Sequence, residues 1–165
     1  MKTATALRHL MLATASVVFA AVLGAAENPR SGETLTAALS DARALAANRP
    51  DFKVVRVEGT SMLPFFGNGS VLLVKKMSAE KLRAGMVVVY TNRFNETVAH
   101  RLVALGAAGW EVKGYNNAKA DSTPVNEANL IGVVYATFHS DDRGDASMVA
   151  AVSSGTSVAL AAPAR

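Results

Sequence analysis

Met86-Val87-Val88-Val89-Tyr90-Thr91-Asn92-Arg93-Phe94-Asn95-Glu96-Thr97-Val98-Ala99-His100 reads as two runs of strand-forming residues around a polar turn. β-Branched and aromatic side chains suit a pleated, half-buried surface, whereas Asn and Arg between them mark a reversal. The spacing predicts a hairpin of Met86–Tyr90 and Val98–Leu105 with its turn at 92–96.

The same pattern extends in both directions. Lys53–Val57 and Val71–Val74 precede the hairpin, and Trp110–Lys113 and Ile131–Phe138 follow it. Gly67-Asn68-Gly69, residues 106–109 and residues 114–117 separate the runs, and Ser78–Leu82 reads as a short helical turn. Six strands with brief connections predict one antiparallel, mainly β domain over 51–138.

Upstream, Leu35, Ala38, Leu39, Ala42 and Leu45 recur at helical spacing within Ser31–Asn48, with Ser31 or Thr34 as N-cap and Pro50 as the stop. Residues 27–50 are therefore a linker and one helix lying against the domain. Residues 139–165 begin with a charged turn and continue as an Ala/Ser/Thr/Val run without a clean period, which predicts a weakly ordered tail.

Residues 1–26 have a different character. Lys2 and Arg8 precede an uncharged, mainly apolar stretch, Leu10–Leu23, that ends in Gly24-Ala25-Ala26. A basic start, an apolar centre and small residues before a polar one make an export signal, cut after Ala26. Left uncut, the same segment is a membrane anchor at the lower limit of spanning length. Both readings place the domain outside the cytoplasm.

Composition excludes several classes of function. Without Lys2 and Arg8 the net charge falls from +4 to +2, too small and too evenly spread for a nucleic-acid surface. The absence of cysteine rules out disulfides, a thiol nucleophile and thiolate metal sites. His139 with Asp141 and Asp142 lacks a second histidine at ligand spacing, so no metal site is expected there.

Two segments carry chemistry. Gly59-Thr60-Ser61-Met62-Leu63-Pro64 puts a serine on a glycine-led turn between strands. A serine hydroxyl needs a neighbouring base to become a nucleophile, and free amides on such a turn can stabilise an oxyanion. His100, within Val98-Ala99-His100-Arg101-Leu102-Val103, shares a strand face with Val98 and Leu102. Imidazole is matched to proton transfer near neutral pH, and a loop acid, Asp121, is available to fix its tautomer.

Taken together, these segments resemble the signal peptidase I family. G-T-S-M-L-P-F-F-G-N-G-S-V-L-L-V-K at Gly59–Lys75 is similar to its nucleophile box. G-M-V-V-V-Y at Gly85–Tyr90, A-H-R-L-V at Ala99–Val103, K-G-Y-N-N-A-K-A-D at Lys113–Asp121 and I-G-V-V-Y-A-T-F at Ile131–Phe138 follow in the family's order. The resemblance covers about residues 52–138 and is to the histidine-base version found in the endoplasmic reticulum and in archaea.

It implies a β domain of the signal-peptidase type and a serine endopeptidase that cleaves exported or precursor peptides with small residues near the cut. Ser61 is then the nucleophile, His100 the base and Asp121 the orienting acid. Gly59, Thr60 and Met62 surround the substrate carbonyl, the substrate adds a strand to a sheet edge, and no metal or cofactor is needed. Three family Gly-Asp pairs are here Gly69-Ser70, Gly85-Met86 and Gly114-Tyr115. The resemblance puts the third missing acid near the base, so activity should be modest and Tyr115→Asp should raise it. A peptide-binding module that keeps the fold without hydrolysis is the second reading that these departures leave open.

Overall fold

The computed structural model describes residues 27–142 together with Ala159 and Leu160. The expected leader at 1–26 lies outside them, as does most of the expected tail. Helix α1 (Leu35–Ala46) comes first, followed by β1 (Phe52–Val57) and β2 (Val71–Lys75). A 3-10 turn at Ala79–Lys81 leads to β3 (Val87–Thr91) and β4 (Thr97–Gly106), then β5 (Gly109–Lys113), β6 (Leu130–Phe138) and β7 (Ala159–Leu160). They form one sheet of order β5-β4-β3-β6-β2-β1-β7.

Every pairing is antiparallel except that of β7 with β1. The expected mainly antiparallel β architecture is present. β7 is an addition: its two residues sit in an Ala/Ser-rich run with no strand pattern. β6 reaches the centre of the sheet by inserting between β3 and β2, so the first and last of the six longer strands are not neighbours.

Packing follows the alternation of side chains across each strand. Val55 and Val57 of β1, Leu72 and Val74 of β2, Val89 of β3 and Ala99 of β4 enter one core with Met62 and Phe66. The opposite parity of the hairpin, with Val88, Tyr90, Val98 and Leu102, enters a second core with Leu82, Val112 and Val125. β4 is thus buried on both faces around His100. Cluster membership spans β1 to β4 although three strands separate them, so the sheet curls around the first core. In β6, Ile131 is the extra residue between the partners of Val89 and Tyr90, and its bulge switches the parity of the strand.

Helix α1 packs Leu35, Ala38, Leu39 and Ala42 on Val71, Val54 and Phe138. It is shorter at both ends than the expected Ser31–Asn48. Thr34 is the N-cap, its hydroxyl accepting from Ala37 N at 3.1 Å, an interaction worth about 1 kcal/mol. Ser31 instead donates to the His139 carbonyl at 2.5 Å. Leu45, expected on the packed face, is 49% exposed because the last turn runs past the contact ending at Ala42.

The chain stays attached beyond the expected boundary at residue 138. Buried Ser140 donates to Gly69 O at 2.7 Å, and Asp141 N donates to Glu33 O at 2.9 Å. A Cβ on Gly69 would lie 2.1 Å from Asp142 O, so only glycine admits this contact. Ser70, which stands where the resembled family has aspartate, is fully buried, with its hydroxyl 3.4 Å from His139 Nδ1.

Candidate active site

β1 ends at Val57 and the chain turns through Gly59, whose φ of 111° is a conformation that side-chain-bearing residues rarely adopt. Gly59 N donates to Asn68 Oδ1 at 2.6 Å, tying this turn to the next loop. The turn then tightens through Leu63 N to Thr60 O at 3.1 Å and Phe65 N to Met62 O at 3.0 Å, with a cis peptide at Leu63-Pro64. Met62, buried in the first core, anchors it from below. Ser61 is the partly exposed residue beside that anchor.

The loop after β5 clamps the turn from the other side. Asn116 N donates to Ser61 O at 2.8 Å, and Asn116 Nδ2 to Thr60 O at 3.2 Å. A Cβ on Gly114 would stand 2.6 Å from Ser61 O, so the loop approaches as closely as it does because residue 114 has no side chain. The carbonyls of the turn are therefore occupied. The N–H groups of Thr60, Ser61 and Met62 meet no acceptor among the described residues.

His100 lies on β4 opposite Val88 of β3, on the face that carries Val98 and Leu102, and is fully buried. Burying an imidazole is costly unless both nitrogens find partners. Here they do. Nε2 is 2.9 Å from Ser61 Oγ, and Nδ1 is hydrogen-bonded to Asp121 Oδ2. Asp121 is held in the post-β5 loop by its own N–H, which donates to Val112 O at 2.9 Å.

One partner was not legible from the isolated motifs. Tyr90 Oη donates to the same Asp121 oxygen at 2.5 Å. Burial, followed by the hydrogen bond and charge of Asp121, pushes the Tyr90 phenol well above its usual range, so it remains a donor. The signal for it was the hairpin register. Thr91 opposite Thr97 makes Tyr90 opposite Val98, one diagonal step from His100 on the same face.

Tyr115 packs on Phe65, with ring centroids 4.3 Å apart, and the Arg101 guanidinium lies over its ring at 4.8 Å. Residue 115 thus faces Arg101, and the second group on Asp121 is Tyr90. Thr60 is exposed, whereas the Met62 side chain is buried in the first core. Lys75 lies at the far end of β2, its ammonium 5.8 Å from the Phe52 ring centroid.

A cavity of about 430 Å³ opens beside the pair, lined by Tyr90, Glu96, Val98, His100, Asp121 and Thr123 among others. It follows the hairpin face from His100 towards the 92–96 turn. It offers side-chain space next to His100 and Asp121.

The sequence model of the Peptidase S24-like family matches residues 20–135, more than half of the chain. The chain belongs to this family. Within it, the 165-residue protein is similar to signal peptidase I W of Bacillus subtilis (strain 168), with 39% identity over 75 residues. That match covers 42% of this chain and 40% of the relative, so the chain spans less than half the length of the curated relative it matches. A peptidase-related function follows for this S24-like domain. Among its described residues no helix is long and apolar enough to cross a membrane.

Proposed function

We propose that this protein is a serine endopeptidase in which Ser61 is the nucleophile, His100 the general base and Asp121 the acid that orients it. The observation that carries the reading is the 2.9 Å approach of Ser61 Oγ to His100 Nε2, with Nδ1 held by Asp121. A nucleophile and base within hydrogen-bond reach, with the base oriented by a third group, is the arrangement that activates a serine.

The chemistry runs in two halves. Ser61 Oγ attacks a peptide carbonyl as its proton passes to His100 Nε2. The oxyanion is held by N–H groups of residues 60–62, and Asp121 stabilises the imidazolium. The C–N bond then breaks, the leaving amine takes the proton from Nε2, and an acyl-Ser61 ester remains. Water, deprotonated by the same nitrogen, hydrolyses that ester and restores the hydroxyl. Tyr90 keeps the Asp121 carboxylate aimed at Nδ1 throughout.

The substrates we propose are exported or precursor peptides with small residues beside the cut, handled outside the cytoplasm. The basic-apolar-small pattern of residues 1–26 supports that location. The deciding experiment treats the protein with a serine-reactive phosphonate and measures intact mass. Parent protein should gain one adduct, Ser61→Ala none, and Asp121→Ala should label at least 10²-fold more slowly. Folded parent that takes no label overturns the reading and leaves a peptide-binding module.

A further inference from the structure

Four successive antiparallel steps, β1-β2-β6-β3-β4, make β1 and β4 run in the same direction. Their outer edges are treated differently by the rest of the chain. β5 pairs with β4 only from Arg101 onwards, so Thr97–His100 are paired with β3 alone. β1 is paired with β2 on one side only, and its other edge meets β7. There Ala159 stands opposite Arg56 and Leu160 opposite Val57 in parallel register, and β7 also lies against β4.

The segment therefore occupies the space between the strand that leads into the Ser61 turn and the strand that carries His100. Leu160 is registered with a residue only four positions before Ser61. An extended peptide whose carbonyl is to reach Ser61 must pass through the same space, because an unpaired strand edge is what an added strand binds.

We propose that β7, Ala159–Leu160, is an intramolecular competitor for the strand slot between β1 and β4, displaced when a peptide substrate binds. This rests on the peptidase reading above. A segment tethered through residues 143–158 acts at an effective concentration on the order of millimolar, so even weak two-residue pairing raises the apparent KM. It leaves kcat untouched, since the displaced tail touches no reacting atom.

The test uses the full chain with two kinds of change. Proline at both positions, Ala159→Pro with Leu160→Pro, removes the amides needed for pairing. Its KM for an alanine-rich peptide should fall about 5-fold with kcat unchanged. Separately, Val57→Cys with Leu160→Cys, in a chain that has no other cysteine, should form a disulfide that blocks cleavage until reduced. Arg56→Cys with Ala159→Cys serves as the second pair should the first disturb folding. Equal KM in parent and proline variant, or no cross-link in either pair, overturns the proposal. If no form cleaves peptide or takes phosphonate, the peptidase reading falls and the competitor role with it. A cross-link in such a protein would still report where the tail lies.

Discussion

Tyr90 and His100 converge on one atom, Oδ2 of Asp121: the phenol donates to it at 2.5 Å, and the ring nitrogen Nδ1 is bonded to it as well. The two side chains stand on adjacent strands of one hairpin, so the register of β3 on β4 fixes the orientation of the acid. Replacing Tyr90 by Phe keeps the packed ring and deletes one hydrogen bond to a charged group, an interaction of about 1.5–3 kcal/mol. We expect kcat for peptide cleavage to fall roughly 10- to 100-fold with KM nearly unchanged. A variant whose kcat equals that of the parent would show that Asp121 is held without the phenol.

Position 115 leads to an expectation opposite to the one the family pattern suggests. An aspartate there is expected to meet the Arg101 guanidinium, which now lies over the tyrosine ring, rather than His100. The exchange replaces a cation–π contact and an aromatic contact by a partly exposed ion pair, terms of about 1 kcal/mol each and opposite sign. Turnover of Tyr115→Asp should stay within about 3-fold of the parent. A larger gain in kcat would mean that the new carboxylate reaches the base.

Gly114→Ala tests the clamp on the Ser61 turn. The added methyl would sit 2.6 Å from the Ser61 carbonyl, so either the 114–117 loop or the turn must move. Displacements near 1 Å at a reacting centre cost about 10²-fold in rate. Phosphonate labelling of Ser61 should slow by that order while the far-ultraviolet circular dichroism of the β domain is retained. Labelling at the parental rate would show the contact to be slack.

His139 supplies a pH dependence of stability distinct from that of activity. Desolvation lowers its pKa below the usual 6.5 in the folded protein. The unfolded chain therefore binds the proton more readily, and stability falls as pH drops below about 6.5. The contribution is complete above that pH and is lost towards the lower folded value. Subtracting the Tm profile of His139→Gln from that of the parent cancels the carboxylates common to both. The difference should be flat from pH 7 to 8 and decline from pH 6.5 to 5. A flat difference throughout would show that the ring is fully hydrated.

Much of this was legible in the chain because it was local. Val87-Val88-Val89-Tyr90 and Val98–Leu102 announce strands by composition, and the polar 92–96 segment announces their turn. The boxes around Ser61, His100 and Asp121 carried their resemblance in short contiguous runs. What was not legible depends on pairing between distant segments. The insertion of β6 between β3 and β2 is chosen by tertiary packing, and so is the seating of Ala159–Leu160 beside β1. The setting of Tyr115 was not legible because its neighbour, Arg101, comes from β4, whose edge facing β5 was not placed by the motif spacing. Tyr90 was recoverable, since counting back from the 92–96 turn puts it beside Val98.

The bonds that join Ser31 to the His139 carbonyl and Asp141 N to Glu33 O bring the two ends of the β domain to one spot on its surface. The segment from 31 to 141 thus begins and ends at neighbouring points. A short peptide can bridge residues 31 and 141, and the resulting ring can be reopened at the exposed turn between β4 and β5, at Ala107-Ala108. Such a circular permutant keeps Ser61, His100 and Asp121 on unbroken elements. Its new ends, at Ala107-Ala108, are available for fusion to a carrier without lengthening any strand.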